Sequence, residues 1–255
     1  MQRVVHVVRR FAKDKWGGTE TVILNTSEQL IENDIHSEIY STDMFEPSGV
    51  EIIQNTPVFR FPYVFPYFNL NKDARYKLKL KGGNAWSWKM LIKLLFAKNL
   101  FVIHTHALNR IGGIARLVAK IKRVPYVVSI HGGYLTLPSS TANEMSSPLE
   151  NTFDWGKLLG FIVGSRKIVQ DADAIICVGK IEHDLLKKKY PNKKVIYFPN
   201  GVKVDDFQKV SADIFLKKYN LPKDQKIVTC ISRIELQKNQ LLLVNAFARF
   251  SKENP

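Results

Sequence analysis

The chain has 255 residues, of which 45% are hydrophobic and 24% are charged. This composition excludes a disordered or collagen-like chain and suffices for a globular core, while the length lies between one average domain and two. Lys and Arg number 38 against 23 Asp and Glu, which gives a formal net charge of +15. Such an excess predicts attraction to an anionic partner: a nucleic acid, a phosphate-bearing ligand or an acidic membrane.

The sequence contains no obvious membrane or export segment. Its longest apolar runs fall far short of the ~20 residues that a spanning helix requires, and its N-terminus lacks the apolar stretch of a signal peptide. Cys177 and Cys230 lie in separate strand-like apolar runs, which predicts two buried, reduced thiols. We therefore expect a cytoplasmic protein that can touch the inner face of the membrane as a peripheral protein.

Short apolar runs alternate with helical patterns along most of the chain. The first run, 4–8, is followed by a glycine-containing loop and a helical pattern over 19–33. Later runs predict strands at 37–41, 101–106, 126–131, 174–178 and 194–199, with helices near 111–122 and 156–170 and a charged helix that ends near Tyr190. Strands that alternate with helices in this way predict parallel pairing, and hence a doubly wound, Rossmann-like α/β domain.

Two stretches interrupt this alternation. Residues 54–86 are rich in aromatic residues, proline and lysine, and they show no clear period. Residues 136–154 are polar and contain proline, a composition typical of a mobile loop.

The pattern restarts after a turn signal at 200–202. A strand is predicted at 226–232 and a helix at 239–251. One strand and one helix cannot bury a core, so residues 1–200 are expected to form an N-terminal Rossmann-like domain. Residues 201–255 are expected to form a linker and the first βα unit of a second, incomplete Rossmann-like domain.

A glycine pair follows the first predicted strand. Gly17 and Gly18 precede Thr19 and Glu20 at the expected start of the first helix. Glycines let the backbone approach a ligand closely, and the free N–H groups of a helix start favour an anion. The spacing is not the fingerprint of a dinucleotide site. The pattern fits a tight turn capped by Thr19 equally well.

Histidines end two of the predicted strands. His131 closes the run at 126–131, and open α/β sheets bind ligands at the carboxyl ends of their strands. We expect His131 to act there as a base, hydrogen-bond donor or polar anchor, the alternative being a bond to loop backbone. His104 and His106 lie two positions apart on the preceding strand. They lack a third metal ligand at helpful spacing, so we predict no metal, a cleft-lining role for His106 and a structural role for His104.

Two basic residues lie between the last predicted strand and the last predicted helix. Arg233 offers a bidentate fork and Lys238 a point charge, a combination that can grip a diphosphate. The alternative is a solvated charged surface that Glu235 partly neutralises.

Basic density is highest between residues 72 and 98. Asp73 is the one acidic residue there. The basic residues are Lys72, Arg75, Lys77, Lys79, Lys81, Lys89, Lys93 and Lys98. Trp86, Trp88 and several apolar residues are interleaved with them. Such a pattern over an amphipathic helix fits an interfacial membrane contact or a nucleic-acid surface. A solvated face whose apolar side packs on the core fits as well.

Taken in order, these motifs make the sequence resemble the nucleotide-sugar glycosyltransferases of family 4, which have the GT-B fold. The motifs that carry the resemblance are Gly17-Gly18-x-Glu20, VIHTH at 102–106, SIHGG at 129–133, ADAIICVGKIEHDLL at 172–186, FPNGV at 198–202, ISRIELQKNQ at 231–240 and LLLVNAF at 241–247. They follow the family's order over nearly the whole chain. Two departures are Ser232, where the family usually has Gly, and Lys203, where an Asp is common.

The resemblance implies two Rossmann-like domains that face each other across a cleft. It implies transfer of a sugar, with retention of configuration, from a nucleotide-diphosphate donor to a glycan or lipid-linked acceptor in polysaccharide or cell-envelope biosynthesis. It also implies a reaction without a catalytic metal or other cofactor. The family's pair of glutamates in the second domain would lie beyond Pro255, so we expect the 255-residue chain alone to be inactive.

The resemblance also assigns roles by position. Arg233 and Lys238 would hold the donor diphosphate, and Gly17 and Gly18 would approach it from the first domain. His131 would line the cleft near the transferred sugar.

The sequence leaves two other functions open. The first is a non-catalytic basic module that binds nucleic acid or an anionic membrane. The second is a nucleotide-sugar epimerase, which the lack of a second base beside His131 disfavours. A nucleic-acid partner is not expected.

Overall fold

The computed structural model describes residues 2–202, 211–223, 227–232, 234 and 238–254. The chain divides into two compact units, Met1–Gly201 and Val202–Pro255. None of the described helices is both long enough and apolar enough to cross a membrane.

The described part of the first unit contains ten strands, eight of which form one large sheet. In chain order the strands are β1 (Arg3–Arg10), β2 (His36–Thr42), β3 (Gly49–Ile53), β4 (Thr56–Phe61), β5 (Tyr67–Phe68), β6 (Leu100–Thr105), β7 (Tyr126–Ile130), β8 (Phe153–Asp154), β9 (Ala174–Cys177) and β10 (Lys194–Tyr197). The large sheet has the order β10-β9-β7-β6-β1-β2-β4-β3, and β5 and β8 form a separate pair. All neighbours in the large sheet are parallel except β3 and β4. The predicted doubly wound α/β fold is confirmed.

Helices connect these strands. They are α1 (Gly18–Glu32), α2 (Lys72–Leu80), α3 (Trp88–Leu95), α4 (Asn109–Lys122), α5 (Ser139–Ser146), α6 (Lys157–Ile162) and α7 (Lys180–Lys189), with 3₁₀ turns at Lys13–Lys15 and Ser147–Leu149. The described part of the second unit contains α8 (Ala212–Lys218) and α9 (Gln240–Glu253), so the helix predicted at 239–251 is present.

Hydrophobic side chains cover both faces of the sheet because successive residues of a strand point to opposite sides. On one face, α4 contacts β1, β6 and β7 over a cluster that includes Val5, Val7 and Ile103. On the other face, a second cluster contains Val8 and Ile23. Burial on both faces explains why the strands read as continuous apolar runs.

The structure departs from the sequence pattern at three places in the first unit. Residues 54–86, which show no clear period, contain the regular elements β4, β5 and α2. Strands β3 and β4 form a hairpin whose turn residues, Gln54 and Asn55, have φ of 45° and 62°. The helix predicted over 156–170 ends early because Gly164 adopts φ 62°, the left-handed conformation in which helices commonly end.

The predicted strand at 226–232 is not present in its described part. Residues 227–232 adopt no strand conformation, and Ile231 is 96% exposed. A strand needs a hydrogen-bonded neighbour, and the described residues of the second unit contain no other strand. For the same reason Cys230 is exposed, against expectation, whereas Cys177 on β9 is buried as predicted.

Candidate functional site

The predicted site residues of the first unit gather where the central strands end. The chain leaves β1 for β2 on one side and later adds β6 and β7 on the other, so the switch point of the sheet lies between β1 and β6. Gly17 and Gly18 begin α1 beyond β1, His106 directly follows β6, and His131 directly follows β7. Ligands of open α/β sheets bind at this kind of crevice.

The start of α1 is open. Gly17 is the N-cap in an extended conformation, and no side chain caps the helix. Thr19 therefore does not cap the helix, as one of the two interpretations of this pattern required, and the hydroxyl of Thr21 instead donates to the Gly17 carbonyl. A Cβ atom added at Gly18 would meet no atom within 4 Å. A Cβ atom added at Gly17 would lie 3.2 Å from the buried Glu20 carboxylate, so the free space lies on the Gly18 side of the uncapped helix start, where backbone N–H groups favour an anion.

Three imidazole rings form a continuous hydrogen-bonded chain. His106 Nδ1 lies 2.9 Å from His131 Nε2, and His106 Nε2 lies 3.0 Å from His6 Nδ1. His104 packs beside His106 with 4.2 Å between ring centroids, and its Nε2 lies 2.7 Å from Ser129 Oγ. His104 is therefore held by a neighbouring side chain, in keeping with a structural role.

Burial keeps these four rings uncharged. Desolvation lowers the pKa of His6 and of His131 to about 4, and burial and the neighbouring imidazoles hold the pKa of His104 and His106 well below the usual value. A neutral imidazole offers one donor and one acceptor. At neutral pH the cluster can therefore bind polar ligands but supplies no positive charge.

His6, His104 and His106 are also the set of described residues that can approach a metal ion. Each offers one ring nitrogen, and these nitrogens lie within 4.8 Å of one another. Uncharged imidazole is the form that ligates metals. However, the nitrogens of His6 and His106 already lie at hydrogen-bond distance from each other. One proton between them is enough to pair both nitrogens without a metal ion.

The segment that follows His131 is shaped by glycines and fixed at both ends. Gly132 and Gly133 adopt φ of 102° and 75°, which disfavour other residues. Just beyond them, the buried carboxylate of Glu182 accepts hydrogen bonds from Leu135 N at 2.6 Å and Thr136 Oγ1 at 2.7 Å.

The far end of the segment is held by a buried arginine. Arg110 is 1% exposed, and its Nη2 donates to both carboxylate oxygens of Asp154 at 2.5 and 2.6 Å. Its Nε donates to the Gly156 carbonyl at 2.9 Å. The stretch 136–154, expected to be a mobile loop, therefore contains α5 between two anchored ends. Two anchors that are distant in sequence explain why composition alone suggested mobility.

An apolar ridge with lysines beside it lies on α3. Trp88, Ile92 and Phe96 follow each other at helical spacing and are 52%, 52% and 79% exposed. Lys89 and Lys93 are exposed next to them. The opposite face of α3 is buried through Met90 and Leu94. The predicted amphipathic pattern is therefore real, and its exposed side is itself partly apolar.

The two remaining predicted residues belong to the second unit. Lys238 is exposed, and Arg233 lies outside the described residues. Sequence reasoning missed His6, Ser129 and Glu182 as parts of the site. A signal existed for His6, since a histidine in the middle of the apolar run VVHVV is expected to be buried and to need a polar partner.

Solved structures resemble this fold at low sequence identity. The crystal structure of Anabaena Alr3699/HepE in complex with UDP-glucose matches with a TM-score of 0.60 and 14% identity, covering 98% of this chain and 58% of that one. The S. aureus MnaA–UDP structure covers 86% of this chain and 50% of that one at 13% identity, but its TM-score of 0.42 is too low to carry an argument. The chain thus spans little more than half of these proteins.

The first of these likenesses shows a shared Rossmann-like fold. No curated protein sequence matches the chain. A sequence profile described as Glycosyltransferase Family 4 matches residues 16–206, which is most of the chain and contains the glycine pair, His104, His106 and His131 but not His6. This chain belongs to glycosyltransferase family 4.

Proposed function

We propose that the chain forms the acceptor-side domain, and the beginning of the donor-side domain, of a retaining glycosyltransferase. The donor is a nucleotide-diphosphate sugar, and the acceptor is a glycan or lipid-linked intermediate in polysaccharide or cell-envelope biosynthesis. The reaction is of the hexosyltransferase type. One observation carries the proposal. In a chain of family 4, the uncapped start of α1 and the histidines that follow β6 and β7 lie at the switch point of the sheet.

Each predicted residue has a role in this proposal. Gly17 and Gly18 allow the donor diphosphate to approach the backbone N–H groups of α1. Arg233 and Lys238 neutralise the same diphosphate as it leaves, so the reaction needs no catalytic metal. His131 contacts the transferred sugar.

His106 lines the cleft behind this ring and holds it by the 2.9 Å hydrogen bond. The uncharged state of both rings suits a hydrogen bond to a sugar hydroxyl, because such a bond needs no ion pair.

The test is sugar transfer by the natural product of the gene from a panel of nucleotide sugars. The anomeric configuration of the product is read by NMR. His131→Ala is expected to lower kcat roughly 10²–10³-fold, as loss of a transition-state hydrogen-bond donor does. His183→Ala, on α7 and bonded to Asp184, is the matched control. An inverted product, or interconversion of the nucleotide sugar without transfer, would overturn the proposal.

We also propose that the ridge of Trp88, Ile92 and Phe96 meets the anionic inner face of a membrane, where a lipid-linked acceptor resides. Exposed aromatic and aliphatic side chains beside Lys89 and Lys93 suit an acidic interface. Each lysine near such a surface contributes about 1 kcal/mol. This contact would account for part of the net charge of +15.

Co-sedimentation with phosphatidylglycerol vesicles tests this contact, with phosphatidylcholine vesicles as the neutral comparison. Replacing Lys89, Lys93 and Lys98 together by Gln is expected to weaken binding up to roughly 100-fold. Ile92→Ser is expected to weaken it as well, whereas Ile181→Ser, an equally apolar exposed change on α7, is not. Preferential, salt-sensitive binding to RNA or DNA would support the non-catalytic basic module instead.

A further inference from the structure

We propose that His6 and His106 are positioning residues that fix the tautomer of His131, so that its Nδ1 carries the proton and its Nε2 accepts a hydrogen bond from His106. The proposal rests on the proposed function, in which His131 contacts the transferred sugar. It adds the chemistry of that contact: His131 donates a hydrogen bond to a ligand oxygen and is not a general base.

The first step is the coupling of the three rings. The two nitrogen–nitrogen distances of 3.0 and 2.9 Å are hydrogen bonds, so one nitrogen of each pair donates and the other accepts. Each uncharged ring carries one N–H. The protons are therefore not independent. Either every N–H points from His6 toward His131, or every N–H points back toward His6.

The second step is the difference between the two ends of the chain. His6 Nε2 and His131 Nδ1 are both buried without a hydrogen-bond partner. His6 is 0% exposed within β1. His131 is only half-buried and precedes Gly132 and Gly133 at the carboxyl edge of the sheet, where ligands bind.

These differences select one direction. Either direction leaves one buried donor and one buried acceptor unpaired, so the two differ only in which end carries the donor. With the N–H groups toward His6, the donor is its Nε2–H, which no ligand can reach because His6 is 0% exposed within β1. In the other direction, the unpaired donor is His131 Nδ1–H. This nitrogen is covered in the structure as well, but it belongs to a partly exposed residue at the ligand-binding edge of the sheet. A hydroxyl, phosphate or ring oxygen of a substrate that uncovers the ring can accept from it and remove the deficit.

The same geometry limits what His131 can recognise. With its proton on Nδ1 and its Nε2 engaged by His106, the ring has no lone pair left for the ligand. It therefore selects for an acceptor oxygen and cannot remove a proton from an acceptor hydroxyl. His104 is not part of the hydrogen-bonded relay of His6, His106 and His131, because its Nε2 is held by Ser129.

The test is NMR of the 255-residue chain with ¹⁵N-labelled histidine, at neutral pH and after treatment with a chelator. Ring correlation spectra identify the protonated nitrogen of His131. We expect Nδ1–H in the wild type and a shift of the proton to Nε2, the preferred form of an unrestrained side chain, in His106→Leu and in His6→Leu. Ser129→Ala, which removes only the partner of His104, is the matched control and should leave the tautomer unchanged.

The wild-type spectrum decides the matter even if a variant does not fold. An Nε2–H tautomer in the wild type would overturn the proposal, as would an unchanged tautomer in both folded leucine variants. A tautomer change on addition of Zn²⁺ would also overturn it, since the ion would then occupy the three-histidine cluster. The readout is independent of transfer. If sugar is transferred while His131 is in the Nε2–H form, only the relay is refuted. If His131 has the expected tautomer but no sugar is transferred, only the proposed function is refuted.

Discussion

Acidification from about pH 7.5 to about pH 5 is expected to destabilise the first unit through its buried histidines. Burial lowers the pKa of His6 and His131 to about 4, whereas the unfolded chain exposes both with a pKa of 6.5. Between these values the unfolded state binds more protons than the folded state. The free energy of unfolding therefore has its full value above the pKa that the histidines have in the unfolded chain. It decreases as the pH falls toward the lower pKa that they have in the folded chain.

The magnitude follows from the two pKa values. At about pH 5 each of the two histidines costs roughly 2 kcal/mol, because one pKa unit corresponds to about 1.4 kcal/mol. His6 and His131 together therefore remove about 4 kcal/mol, and the lowered pKa of His104 and His106 increases the loss. A typical domain is stable by about 5–15 kcal/mol, so the effect is large.

Urea unfolding of the chelator-treated chain at both pH values measures this loss. His6→Gln removes one titrating group and should reduce the pH-dependent loss by about 2 kcal/mol. Each variant is compared with itself at two pH values, so general destabilisation cancels. The reasoning is refuted if the wild type is equally stable at both pH values within about 1 kcal/mol, or if His6→Gln keeps the full dependence.

Three further predictions concern the packing around the site. Glu182→Ala should lower the free energy of unfolding by about 3 kcal/mol because two charge-assisted hydrogen bonds are lost. The exposed Glu144→Ala should change it by less than about 0.5 kcal/mol, and equal effects in urea unfolding would contradict this account. Gly112→Ala should cost on the order of 3 kcal/mol, since its Cβ would lie 2.0 Å from a backbone oxygen; an unchanged thermal midpoint would count against it. In thiol labelling of the native chain, Cys230 should react at once. Cys177, buried and with its pKa raised to about 11, should react only on unfolding, and prompt labelling of both would refute its burial.

The sequence predicts most of the first unit because local pattern and burial agree there. Strands covered on both faces read as apolar runs. In α4 the apolar residues Ile111, Ile114 and Val118 recur at helical spacing, and all three are buried. The pattern fails where burial is one-sided. Helix α2 buries only Leu78, and β3 lies at the sheet edge with Val50 and Ile52 exposed. Neither element has enough apolar surface to give a clear period.

The candidate site divides in the same way. The sequence alone places Gly17, Gly18, His106 and His131 at strand ends, because topology brings the carboxyl ends of parallel strands to one edge. It cannot relate His6 to them, since that contact spans 100 positions of the chain. Parallel pairing of β1 with β6 sets His6 opposite the histidine strand. Only this register joins the imidazoles, and only their joint burial makes them uncharged.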